Sequence, residues 1–219
     1  MLEAAKTFLL ILSALFPIVN PLGGSPVFFS LTTGYSHETR KALALRVARN
    51  SFFLLVGSYV VGTHVLAFFG ISIPVVQVGG GLVVTSTGWA MLKRKDDDER
   101  QAVRSNAQPQ DPFRQAFYPF TLPLTVGPGS ISIAITLGAN AHRNGFDPWA
   151  ILAAVAGCMV MGVSIYLCYG FSDRLARFLG PSAMTVIMRL SSFLLVCIGV
   201  QILWNGVSAL LATVPVHVH

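Results

Sequence analysis

The chain has 219 residues, of which 53% are hydrophobic and only 11% charged, and its formal net charge is +6. A soluble domain averages about 25% charged residues, so this balance excludes an ordinary soluble globule and points to a chain that lies in lipid. The three cysteines form no CxxC pair or Cys/His cluster, which removes support for a disulfide framework or a metal site.

A membrane helix needs roughly 20 predominantly apolar residues. Six stretches meet that requirement, at about 6–31, 44–69, 73–92, 116–138, 148–171 and 184–212. The first contains FPIVNPLGGSPVFF (Phe16 to Phe29), with three prolines, two adjacent glycines and an asparagine. No small-residue cleavage site follows its apolar part, so it reads as a retained span. The second carries His64, and the third carries Gln77 and the run Gly79, Gly80 and Gly81. Lys93 to Asp111 is a mixed-charge run without apolar periodicity and reads as a solvated linker over 93–115. The fourth span repeats the breakers in YPFTLPLTVGPGSISIAI (Tyr118 to Ile135). The fifth holds Cys158 and Cys168. The sixth holds Cys197, Gln201 and Asn205 and is long enough to tilt or protrude.

The basic residues set a topology. Thirteen of the 15 Lys and Arg residues fall in or beside the connections after spans one, three and five, leaving Lys6 and Arg143 on the other side. The positive-inside rule then puts both termini outside and the basic connections in the cytoplasm of a multi-pass cytoplasmic-membrane protein. The positive charge is a topology signal, and no nucleic-acid partner is expected.

The breaks occur at matching places. With an offset of 102, Pro17, Pro21 and Pro26 meet Pro119, Pro123 and Pro128. Two halves of three spans, 1–92 and 116–219, cross the membrane in opposite senses. The expected fold is therefore all-α, with two inverted-topology three-helix repeats in one transmembrane domain. Proline removes a donor and clashes with the preceding turn, so spans 1 and 4 should be broken. Non-helical backbone at membrane depth persists only when buried in protein or lining a cavity. Half-helix starts offer amides to a carboxylate, and half-helix ends offer carbonyls to an ammonium group or a cation. Two such breaks meeting near the midplane suit a small zwitterionic solute or an ion.

FPIVNPLGGSPVFF, FFGISIPVVQVGGGLVV, PLTVGPGSISIAI and RLSSFLLVCIGVQILWNGV resemble the MarC family of bacterial inner-membrane proteins over essentially the whole chain. The resemblance implies a six-span secondary transporter, similar to small neutral amino acid transporters acting on glycine and alanine and grouped with LysE-type exporters. Asn20, Pro21, Gly23, Gly24 and Pro26 match the first family motif, and Pro123, Thr125, Gly127, Pro128 and Gly129 match the second. Two departures bear on substrate preference. Gly23 to Ser25 stand where some relatives are Thr-rich, and Ser191 and Ser192 stand where a Met-Gly pair is common.

The expected substrate-binding residues are thus Asn20, Pro21, Gly23, Gly24, Ser25, Thr125, Gly127, Gly129 and Ser130, with His64 and Gln77 in a coupling or polar network. The plain alternative for Asn20, Thr125 and the serines is that they only cap broken helices. His64, Gln77, Gln201 and Asn205 read equally as interhelical hydrogen-bond partners. No cofactor is expected. Coupling to Na⁺ through carbonyls, to a proton through His64, or to neither stays open, as does the oligomeric state. The acidic residues all lie in loops or near span ends, which disfavours cationic substrates. An enzyme would need a nucleophile with a base, or a metal cluster, and no HExxH, GxSxG or buried Asp pair is present. An exporter or channel for another solute, or a membrane component that transports nothing, are the competing functions.

Overall fold

A computed structural model describes residues 2–93, 113–143 and 147–212, and most of the expected linker lies outside them. Among the described residues the chain is helical and contains no strand. The helices are α1 (Leu2–Val19), α2 (Pro21–Leu31), α3 (His37–Phe68), α4 (Ile73–Lys93), α5 (Pro128–Arg143), α6 (Pro148–Gly170) and α7 (Ser172–Leu211), with an irregular wide-turn segment at Phe117–Thr125 before α5. Five spans are continuous in length and composition: Ala4–Leu31, His37–Phe68, Ile73–Lys93, Pro148–Gly170 and Thr185–Leu211. The sixth is the pair Arg114–Thr125 and Pro128–Ala141, bent by 73°.

Local chemistry sets the ends. Ser36 caps α3 by accepting from the Thr39 N–H, so that helix begins well before the expected residue 44. Its 32 residues extend about 48 Å, longer than the hydrocarbon core, and carry Arg40, Lys41, Arg46 and Arg49 out past it. Asp147 caps α6 through the Trp149 N–H, with Pro148 at the first helical position. Gly180, at φ 72°, interrupts α7 ahead of the membrane-crossing part.

The buried faces follow helical periodicity. Leu43, Val47, Leu55 and Tyr59 on α3 face Ala154, Cys158, Met161, Ile165 and Tyr169 on α6, with Ile11 and Leu15 of α1 in the same cluster. Leu9, Leu10, Phe53, Phe193 and Leu194 point outward, where lipid replaces water and exposure of apolar groups carries no penalty. With no hydrophobic drive between helices in lipid, close backbone approach decides the packing. The seam between α4 and α7 illustrates this. A methyl on Gly81 would lie 2.5 Å from the Leu203 nitrogen and 2.7 Å from the Gly199 oxygen. Of the three glycines expected to pack, Gly80 meets Ser132 and Gly81 meets α7, whereas Gly79 faces open space.

Most helix pairing crosses between the two halves of the chain. α3 packs on α6, and α4 on α7. α1 and α2 pack on α6, while the wide-turn segment and α5 pack on α3. α2 also meets α7, as α5 meets α4.

Candidate functional site

The first break is a single residue. Asn20 adopts the left-handed conformation (φ 45°, ψ 61°), which stops α1, and its side chain accepts from the Gly23 N–H at 3.1 Å to start α2. Asparagine tolerates this region better than most residues because its short polar side chain bonds locally. Pro21 has no N–H to return to the Pro17 carbonyl, so the ladder is cut at the same point. The Gly24 N–H still reaches the Asn20 carbonyl at 2.9 Å, and the axis continues.

The second break is larger. Tyr118 and Leu122 are extended inside the Phe117–Thr125 segment, and each precedes a cis proline. The Val126 N–H reaches back five residues to the Thr121 carbonyl at 2.8 Å. Threonine hydroxyls satisfy carbonyls that this wide turn frees: Thr121 donates to Ala116 at 2.7 Å and Thr125 to Phe120 at 2.6 Å. The two breaks expected to be alike therefore differ in kind.

Both breaks open on one cavity of about 420 Å³. Ile18, Val19, Asn20, Gly24 and Val27 line it from the first break, and Pro123, Thr125, Gly127, Gly129 and Ser130 from the second. Val83, Val84, Thr87 and Met91 of α4, with Leu195 of α7, close the far wall, and Ser30, Leu31 and Pro119 extend it to one side. None of the lining residues carries an ionisable side chain. Gly129 and Ser130 begin α5, so their amides have no carbonyl partner within the helix. At α2 the corresponding donor, the Gly23 N–H, is already taken by Asn20.

The expected site residues therefore divide. Asn20, Gly24, Thr125, Gly127, Gly129 and Ser130 converge on the cavity, while Pro21, Gly23 and Ser25 do not line it. Ser25 is fully buried and donates to the Cys168 carbonyl at 2.8 Å, tying α2 to α6. Gly23 abuts Asn20 and Ser191, so the two family departures, at Gly23 and Ser191, meet at one contact. Gln77 donates to Thr136 at 3.4 Å, between α4 and α5. His64 is exposed on α3 and lies outside the cavity lining.

Tyr169 is the residue that sequence reasoning passed over. It is fully buried, stacks on Phe28 with ring centroids 4.5 Å apart, and its hydroxyl lies 3.1 Å from the Thr125 hydroxyl. Because the Thr125 proton goes to Phe120, the Tyr169 hydroxyl donates to Thr125. The same hydroxyl fills the space beside Gly24. One side chain on α6 thus touches both breaks. Its only sequence signal is a polar group at the next-to-last position of an apolar helix, which does not reveal a contact 44 residues away.

The chain is similar to several curated proteins. The inner membrane protein MarC of Salmonella typhimurium is 30% identical over 97% of this chain and 99% of its own length. The proteins of that name from Citrobacter koseri and Escherichia coli are 32% and 30% identical over the same shares. No solved structure matches the chain. The model for "MarC family integral membrane protein" matches residues 5–211, and on that match and those relatives this chain belongs to the MarC family of integral membrane proteins.

Proposed function

We propose that the protein is a secondary transporter of small neutral amino acids, of the glycine and alanine class, in the bacterial inner membrane. The observation that carries this reading is the single cavity onto which both helix breaks open. The substrate carboxylate sits at the start of α5, on the Gly129 and Ser130 amides, where the helix dipole favours negative charge. The ammonium group lies toward the α1 end, where Ile18 and Val19 line the cavity and their carbonyls have no partner within that helix. The Asn20 side-chain amide completes the polar set. A lining without ionisable side chains fits a ligand with no net charge and gives an enzyme's acid–base chemistry no residue to use.

The pairing of helices supports an inverted repeat of two halves. α3 with α6 and α4 with α7 are pairs that exchange into themselves when the halves are swapped. The first span on α6 exchanges with the fourth on α3, and the first on α7 with the fourth on α4. A pseudo-two-fold axis in the membrane plane requires that correspondence. The cavity extends to Leu31, Met91 and Pro119, near the span ends that the positive-inside rule assigns to the cytoplasm. Ile11 and Leu15, both buried, fill the opposite side. This geometry fits a cytoplasm-open state, with alternating access through rocking of the halves about the breaks. The exposed position of His64 favours Na⁺-coupled or uncoupled transport over a proton route through that residue.

The test is uptake of radiolabelled glycine and alanine by proteoliposomes, with and without Na⁺ and pH gradients, and with Gly24→Leu as the control. Saturable uptake lost in Gly24→Leu supports the reading. Folded protein that moves neither solute refutes it.

A further inference from the structure

Glycine, which has no side chain, fills only a small part of a cavity of about 420 Å³, a volume on the scale of sites (about 300–1,000 Å³) that hold far larger ligands. The excess space is not polar. Away from the breaks the wall is formed by Val27, Val83, Val84, Met91 and Leu195. Its two hydroxyls have already given their protons to their own helices and keep only acceptor lone pairs: Ser30 donates to the Val27 carbonyl at 3.0 Å, and Thr87 to the Val83 carbonyl at 2.8 Å. A hydroxylated or amidated substrate arm placed here would lose its water and gain little in return, which is costly for a polar group. An aliphatic arm would lose nothing.

We propose that this wall is a side-chain subsite, and that the preferred substrates are neutral amino acids with aliphatic side chains of the size of valine, leucine and methionine. This rests on the transporter reading and shifts its preferred substrates from glycine and alanine to larger aliphatic amino acids. The breaks hold the zwitterion common to every α-amino acid, while Val83, Val84, Met91 and Leu195 grade the side chain. Val84 also packs against Gly129, so the side-chain wall and the carboxylate cradle are held in fixed relation. Each methylene moved from water to such a wall improves binding about fourfold, from about 0.8 kcal/mol per CH₂.

The experiment measures inhibition of radiolabelled alanine counterflow in proteoliposomes by glycine, alanine, serine, valine, leucine and methionine. Leucine and methionine are expected to compete at least tenfold more strongly than alanine, and serine no more strongly than alanine. Val83→Trp projects bulk from a position that is 41% exposed, and it should collapse the ratio of leucine to alanine inhibition, whatever its effect on alanine counterflow itself. Thr87→Phe, one turn along the same face, serves if the first variant does not fold. Alanine counterflow with a flat or falling series from glycine to leucine would overturn the subsite and leave the transporter reading standing. No counterflow with any amino acid would overturn both.

Discussion

A methyl group added at Gly24 tests the coupling between the two breaks through Tyr169. The new Cβ would lie 2.5 Å from the Tyr169 hydroxyl oxygen, while the next ring atoms stand at 3.4 and 3.5 Å. Only the hydroxyl is in the way. The ring cannot swing aside, because it is fully buried, stacked on Phe28 and bonded to Thr125. Gly24→Ala should therefore cost about 1–3 kcal/mol as an overpacking change. For a chain of this length that lowers the melting temperature by roughly 2–12 °C, at about 2–4 °C per kcal/mol. Tyr169→Phe alone gives up one hydrogen bond, a loss of about 0.5–1.5 kcal/mol. In the double variant the methyl takes the space the hydroxyl vacated, so the overpacking cost is relieved. The double variant should thus be more stable than the two single losses added together, by at least about 1 kcal/mol. Thermal unfolding of the four proteins in one detergent measures the cycle. Simple additivity would refute the claim that Tyr169 and Gly24 share one space.

Four further outcomes follow from the geometry. Asn20→Gly keeps the left-handed conformation and should cost only a few tenths of a kcal/mol, whereas Asn20→Ala loses the cap and strains φ, about 2 kcal/mol together; melting temperatures separate the two. If the Asn20 side chain also contacts substrate, Asn20→Gly will transport alanine poorly although it is folded, which separates ligand contact from capping. Gly81→Ala, facing backbone that cannot yield, should destabilise by about 1–3 kcal/mol, while Gly79→Ala, facing open space, should be neutral or stabilising. Asp173 carries the pH prediction: burial alone would raise its carboxyl, but the Arg174 amide and the neighbouring His37, Arg177 and Arg40 hold it below the ordinary value. Its stabilising effect is therefore present above the unfolded value of about 3.9 and is lost as pH falls through the lower folded value. Unfolding measured between pH about 5 and about 3 should show that loss in the native protein and less of it in Asp173→Asn.

The spans were legible because lipid imposes length and polarity directly on sequence. The stretch expected at 6–31 is Ala4–Leu31, and that expected at 73–92 is Ile73–Lys93. Helix ends beyond the bilayer were not, because hydropathy does not register them: α3 starts at His37 on the strength of the Ser36 cap, and α7 begins at Ser172 with a break at Gly180. The matched prolines sit at both interruptions but do not tell them apart. At the first, Asn20 supplies both the left-handed turn and the cap, so the axis runs on. At the second, the chain turns by 73° across Val126 and Gly127, where Val126 is extended between the wide-turn segment and α5. Within the candidate site, the polar and glycine residues of the motifs were legible, and six of the nine line the cavity. The apolar wall from α4 and α7 was not, since Val83 or Leu195 looks no different from a lipid-facing residue until its neighbours are known. The motif alone makes Ser25 and Gly23 look like ligand contacts. Instead Ser25 bonds the α6 backbone, and Gly23 packs on Asn20 and Ser191.

In the proposed mechanism one substrate molecule is held by both breaks at once. The most direct test of this is substrate protection of single cysteines placed as Ile18→Cys and Ser130→Cys, one beside each break, after replacement of Cys158, Cys168 and Cys197. A small thiol reagent is applied from the cavity side across a range of alanine and leucine concentrations. Both positions should be protected, with the same half-saturating concentration for a given amino acid. Protection at neither position, or at two different concentrations, in protein that still transports would contradict it.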